Sequence, residues 1–207
     1  MTSGALSQMN NAHKDYEGAK LGMWLFLFTE LLLFGGLFLL YSVYLRRYQV
    51  QFHAASQELD VVMGTTNTIV LITSSWFVAM GVAALKRGEI ARAKGLTLAT
   101  IAFALVFLVI KYFEWGAKFH HGLFPGGAEL ATREQGQMVY FALYFAMTGL
   151  HGVHVVVGMG VLGLAWWLMH SGHSTGKDYV FLENTGLYWH LVDLIWIYLF
   201  PLFYLIT

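Results

Sequence analysis

GLTLATIAFALVFLVIKYFEW, residues 95–115, decides the fold. Lys94 precedes it, and no charge interrupts it before Lys111. At about 1.5 Å of rise per residue it is long enough to cross a hydrocarbon core of roughly 30 Å. It lacks the strict alternation of apolar and polar residues that a membrane β-strand needs. Backbone N–H and C=O groups in lipid must be satisfied inside the segment, so the run reads as a transmembrane helix.

The same reading extends to both sides. Leu21–Leu45 closes on Arg46 and Arg47, and Thr65–Leu85 closes on Lys86 and Arg87. Met138–Met169 is long enough to tilt or to project from the bilayer. Leu187–Ile206 is entered from Phe181. The expected fold class is therefore all-α, a polytopic integral membrane bundle of five helices. A polar N-terminal segment, residues 1–20, precedes a single domain over residues 21–207. The first apolar run lies behind that segment and has no small-residue cleavage site after it, so it reads as a span and not a signal peptide. Pro125-Gly126-Gly127 is a turn signal inside the longest internal loop, and no linker divides the chain.

Composition agrees. Of 207 residues, 57% are hydrophobic and 12% charged. A soluble domain carries about 25% charge, so disorder, a nucleic-acid arm and an ordinary soluble enzyme are excluded. The net charge of +0 gives no field to attract a polyanion, and no nucleic-acid partner is expected. Without cysteine there are no disulfides, thiolate metal sites or cysteine nucleophiles. An odd number of spans puts the termini on opposite sides. One side carries Lys14, Lys20, Lys86, Arg87, Arg92, Lys94 and Lys177. The other carries Arg46, Arg47, Lys118 and Arg133, with Lys111 near a helix end. The bias places the N-terminus in the cytoplasm.

Ionisable groups at membrane depth are costly, so each is a candidate for function. Glu30 lies about 14 Å into the first helix. It is either a protonated carboxyl bonded to a neighbouring helix or a group that handles protons or contacts lipid. His151 and His154 are three apart on one helical face. Helix-packing hydrogen bonds suit them, since a di-iron bundle wants Glu-x-x-His on two helices and this chain has none. Gly149, Gly152, Gly160 and Gly163 form a neighbouring stripe where another backbone is expected to approach. His190 and Asp193 are also three apart and read as a structural pair, within the chain or to a partner. The preceding Tyr188-Trp189 fits an interfacial belt and head-group contact at Trp189. Lys111 and Glu114 form a one-turn ion pair. Lys177 and Glu183, before the last helix, are placed to meet lipid head groups. Phosphate-binding loops, dinucleotide fingerprints and zinc-protease helices are all missing. The residues alone describe a membrane bundle with buried polar pairs, one part of a complex.

Several of these stretches resemble one family. FALYFAMTGLHGVHVVVG, residues 141–158, is similar to the sixth helix of subunit III of haem-copper cytochrome c oxidases. ENTGLYWHLVDLIW, residues 183–196, looks like its last helix, where a Glu precedes a Trp-His-x-Val-Asp-x-x-Trp string. Phe28-Thr29-Glu30-Leu31 occupies the place of the family's buried carboxylate, and Asn67-Thr68 with Thr73-Ser74-Ser75 resembles its fourth helix. Lys111-Tyr112-Phe113-Glu114-Trp115 matches the end of its fifth. The best-known members have seven helices. This chain resembles the shorter five-helix bacterial form, in which another subunit would complete the lipid-filled cleft.

The resemblance implies a non-redox, non-catalytic subunit of a proton-translocating oxidoreductase in a bacterial inner (plasma) membrane. Haem and copper would belong to the partner subunits I and II, with no cofactor or metal on this chain beyond structural phospholipid. The subunit would stabilise the catalytic subunit, keep proton uptake fast and retain lipid, alone or within a larger respiratory supercomplex. Glu30, His151, His154, Glu183, His190 and Asp193 would be supporting residues and not ligands. The alternatives are an accessory subunit of a quinol oxidase or nitric oxide reductase, an autonomous haem b protein using His151 or His154 with His190, and a small transporter relaying protons through Glu30.

Overall fold

A computed structural model describes residues 3–172 and 179–206, with side chains from residue 17 onward. The helices are α1 (Ser3–Arg47), α2 (Gln49–Ser56), α3 (Val61–Lys86), α4 (Ile90–His120), α5 (Ala128–Ala131), α6 (Gln135–His170) and α7 (Val180–Tyr204). Five of them are long and apolar enough to cross a membrane, and no strand occurs among the described residues. The expected all-α class and five spans hold. The polar segment before residue 21 is the N-terminal part of α1.

Boundaries moved outward for local reasons. α3 starts at Val61, earlier than the apolar run suggested, because Asp60 caps it. One carboxylate oxygen of Asp60 accepts from the backbone N–H of Val62 (2.8 Å) and of Met63 (3.1 Å), which satisfies two donors that a helix start leaves open. α3 stops in a Schellman motif. Gly88 N–H donates to the Leu85 carbonyl and Glu89 N–H to the Ala84 carbonyl, with Gly88 at φ +80°. That left-handed turn lets α4 begin at Ile90 and pack back along α3.

α3 packs along α4 and α7, and α6 packs along the same two, so these helices close a ring. α1 lies outside it, against α7 and α6. Its buried residues Leu27, Phe34 and Tyr41 are seven apart, a single seam. α2 turns back under α6 and inserts Phe52 between Tyr41 and Tyr140. Two tyrosine hydroxyls there bond to the end of α7: Tyr41 to the Leu202 carbonyl, and Tyr140 to the Phe203 carbonyl at 2.6 Å.

The outer surface is apolar. Leu32, Leu39 and Val43 on α1, Val109 on α4 and Val156 on α6 are all exposed. In water such a surface would be a liability; in lipid it is the solvated side.

Close approach falls at other glycines than the expected stripe. Gly152, Gly160 and Gly163 have nothing within 4 Å of an added Cβ, and Gly149 meets only the Trp115 indole. Tight contacts fall instead at glycines such as Gly64, Gly136 and Gly158, and at Gly158 a Cβ would lie 2.9 Å from the ring of Trp189. A large indole on α7 takes the space that a facing backbone was expected to fill. Gly158→Val should therefore destabilise the protein by about 1–3 kcal/mol through overpacking. Gly160→Ala should leave the detergent-solubilised melting temperature unchanged or slightly raised. Equal melting for both variants would contradict this packing.

Candidate functional site

One helical turn of α4 brings Lys111 and Glu114 together inside the ring, both almost wholly buried. Lys111 Nζ donates to Glu114 Oε2 (3.0 Å), Tyr144 Oη (3.0 Å) and Tyr204 Oη (3.1 Å). The two tyrosine hydroxyls donate to Glu114 Oε1, at 2.7 Å from Tyr144 and 2.5 Å from Tyr204. Lys111 also lies 5.2 Å from the centre of the Trp196 ring. One buried ion pair thus joins α4, α6 and α7. The pair was legible from its spacing. The tyrosines were not, because they come from other helices.

A second pair joins α1 to α6. Glu30 Oε2 lies 2.8 Å from His154 Nε2, and the other ring nitrogen, Nδ1, lies 2.8 Å from the Leu150 carbonyl. A carbonyl only accepts, so Nδ1 carries a proton. Nε2 and Glu30 then share another, as imidazolium with carboxylate or as imidazole with carboxylic acid. Phe34 packs against this ring with centroids 5.3 Å apart, and Tyr188 donates its hydroxyl to the His154 carbonyl at 3.1 Å. The neighbouring helix that Glu30 was expected to meet is α6.

His151 differs from expectation. It is fully buried between the rings of Phe107 and Trp196, with centroids 5.6 and 5.2 Å away, and neither ring nitrogen has a hydrogen-bond partner. It meets Phe107 edge to face and Trp196 at a tilt, and it makes no interhelical hydrogen bond. The one-turn spacing that put it beside His154 in sequence turns it inward, while His154 turns toward α1.

His190 and Asp193 do not bond to each other. His190 Nδ1 meets Ser75 Oγ on α3 at 2.5 Å, and Ser75 also neighbours Asp193. Asp193 is buried, and its Oδ1 has no partner. The pairing expected along α7 is replaced by one across to α3, because α3 brings a hydroxyl between the two side chains.

Trp189 is 1% exposed and not interfacial. Its Nε1 donates to Ser74 Oγ at 3.0 Å while its ring fills the space at Gly158. Glu183 bonds Lys86 Nζ at 2.7 Å and so ties the start of α7 to the end of α3. Lys177 lies outside the described residues. In the adjoining turn Arg87, then Arg92, hold the exposed Glu89 carboxyl below its usual range.

Among the described residues no three His, Asp or Glu side chains gather as a metal-binding set. His154 Nε2, the nitrogen with a lone pair to offer an iron, is engaged by Glu30, while Nδ1 donates to the Leu150 carbonyl. Thr68 and Ser75, quoted above only for the resemblance, prove to link helices: Thr68 Oγ1 accepts from Trp196 Nε1 at 3.1 Å, and Ser75 meets His190.

The sequence is similar to those of known proteins. Residues 4–207 match the family described as "Cytochrome c oxidase subunit III". The chain belongs to that family. A relative from Thermostichus vulcanus, "Cytochrome c oxidase subunit 3", is 31% identical over all of this chain and 96% of its own length. One of the same description from Synechocystis sp. is 31% identical over 89% of this chain and 74% of its own. A third, "Heme-copper oxidase subunit I+III" from Aeropyrum pernix, is 28% identical over 89% of this chain and 22% of its own length. The expected family and the five-helix form therefore hold.

The Glu30–His154 contact predicts a specific pattern. Glu30→Gln should leave the protein intact, because an amide can donate to Nε2. Glu30→Leu should cost about 1–3 kcal/mol by stranding the imidazole. Adding His154→Leu should recover part of that cost. A double-mutant cycle on thermal unfolding measures this, and strictly additive costs would count against the pair.

Proposed function

We propose that this chain is the non-redox subunit III of an aerobic terminal oxidase of the cytochrome c oxidase type, in a bacterial plasma membrane. Its partner is a catalytic subunit I that holds the haems and copper, with subunit II beside it. The observation that carries this reading is the family match over residues 4–207, on a bundle whose ionisable groups serve to join its own helices. The fused subunit I+III of Aeropyrum pernix supports direct contact with a catalytic subunit.

In this role the chain contributes by packing. Glu30, His154, His190 and Asp193 are supporting polar residues, and the apolar outer faces hold structural phospholipid as well as partner helices. Through its contacts the subunit stabilises subunit I, keeps proton uptake at the cytoplasmic entrance fast and retains lipid during reduction of oxygen to water. The N-terminus is cytoplasmic and the C-terminus outside, in line with the cations Lys86, Arg87, Arg92 and Lys94 gathered on one short loop.

Tagged chain purified in mild detergent tests this reading. A haem-copper catalytic subunit should co-purify, identified by mass spectrometry. The reduced-minus-oxidised haem signal should leave with that subunit when the complex is dissociated. A chain that purifies alone and still carries haem would contradict it.

A further inference from the structure

The side chains at membrane depth divide by whether their hydrogen bonds are complete. Lys111, Glu114, Tyr144 and Tyr204 satisfy one another. Glu30 and His154 do the same, with the Leu150 carbonyl closing the last ring nitrogen. Asn67, His151, Trp115 Nε1 and Asp193 Oδ1 have unpartnered atoms, but these atoms are enclosed and nothing outside the bundle can reach them. His190 differs, because its free ring nitrogen reaches the surface at the seam where α3 and α7 meet.

Ser75 stands near the middle of α3, and His190 and Asp193 stand near the middle of α7. His190 is half-buried. Its Nδ1 is held by Ser75, while its Nε2 is neither enclosed nor bonded. Beside it, Asp193 is buried, and its unpartnered Oδ1 is enclosed behind the seam. Around them Ile72, Leu194 and Ile197 face outward, and so does Trp76, which is 59% exposed at mid-helix and far from either interface where a lipid-facing indole is at home. Acyl chains offer neither donors nor acceptors, so lipid cannot complete this cluster. A half-exposed imidazole with an unbonded ring nitrogen at this depth fits a polar side chain on another transmembrane helix. A broad indole next to a polar centre is also the make-up of an interface anchor.

We infer that the α3–α7 seam around Ser75, His190 and Asp193 is the face that docks a transmembrane helix of the catalytic subunit, one bearing a hydrogen-bonding side chain at mid-bilayer depth. This rests on the subunit reading above and adds where the contact is made. The partner's side chain bonds His190 Nε2, and Trp76 packs along its helix.

Because the chain has no cysteine, single cysteines can map the contact directly. Ile197→Cys lies on the seam, and Val109→Cys lies on the exposed face of α4. Each is labelled with a maleimide–benzophenone in membranes that contain the assembled oxidase, then irradiated, and the adducts are sequenced. The Ile197→Cys adduct should contain catalytic-subunit peptides and the Val109→Cys adduct should not. Adducts at Ile197→Cys that carry only lipid, a second copy of this chain or some other protein would overturn the docking face while co-purification leaves the subunit reading standing. Failure of the catalytic subunit to co-purify at all would overturn both. In parallel, His190→Phe should lower retention of the catalytic subunit about tenfold, as the loss of one desolvated hydrogen bond requires. Unchanged retention would also contradict the inference.

Discussion

Lys111 and Glu114 sit where neither water nor lipid solvates them, and the surrounding bundle is arranged to meet that need. Each charge alone would be prohibitive at this depth. Together they form a pair whose remaining donors and acceptors are taken up by Tyr144 from α6 and Tyr204 from α7. Helices in lipid gain nothing from burying one apolar side chain against another instead of against acyl chains. A shared polar centre is then a strong reason for α4, α6 and α7 to keep one relative placement. The rule repeats at smaller scale: Glu30 with His154 fixes α1, Ser74 with Trp189 fixes α3 to α7, and Thr68 with Trp196 repeats that link one level away.

Shape supplies the rest. Trp189 and Trp196 are buried on α7 and fill the middle of the ring. Gly158 makes room for one, while Phe107 and His151 flank the other. Among the described residues, the buried polar groups of these sites bond mostly to groups on other helices of the same chain.

The fold was legible because hydrocarbon thickness and backbone satisfaction act on long stretches, so residues 95–115 and their counterparts announce helices without any tertiary information. The Lys111–Glu114 pair was legible for a similar reason, being local to one turn. What lies between helices was not. Nothing in the spacing of His190 and Asp193 tells that Ser75 comes between them, and nothing in Tyr188-Trp189 tells that the indole turns inward to Ser74. Positions three apart on a helix point about 60° from each other, so His151 and His154 could share a face and still meet different helices. The short helix α2 also escaped, since it is an end cap pinned by Phe52 and not a span.

The measurement that bears most directly on this account is a double-mutant cycle at the buried ion pair, read as thermal unfolding of the purified protein. Lys111→Met alone should cost about 3–5 kcal/mol, because it strands the Glu114 carboxylate. Lys111→Met with Glu114→Gln should recover a large part of that loss. If the two substitutions instead cost little singly, or simply add, the polar centre does not hold the helices together and the account is wrong at its base.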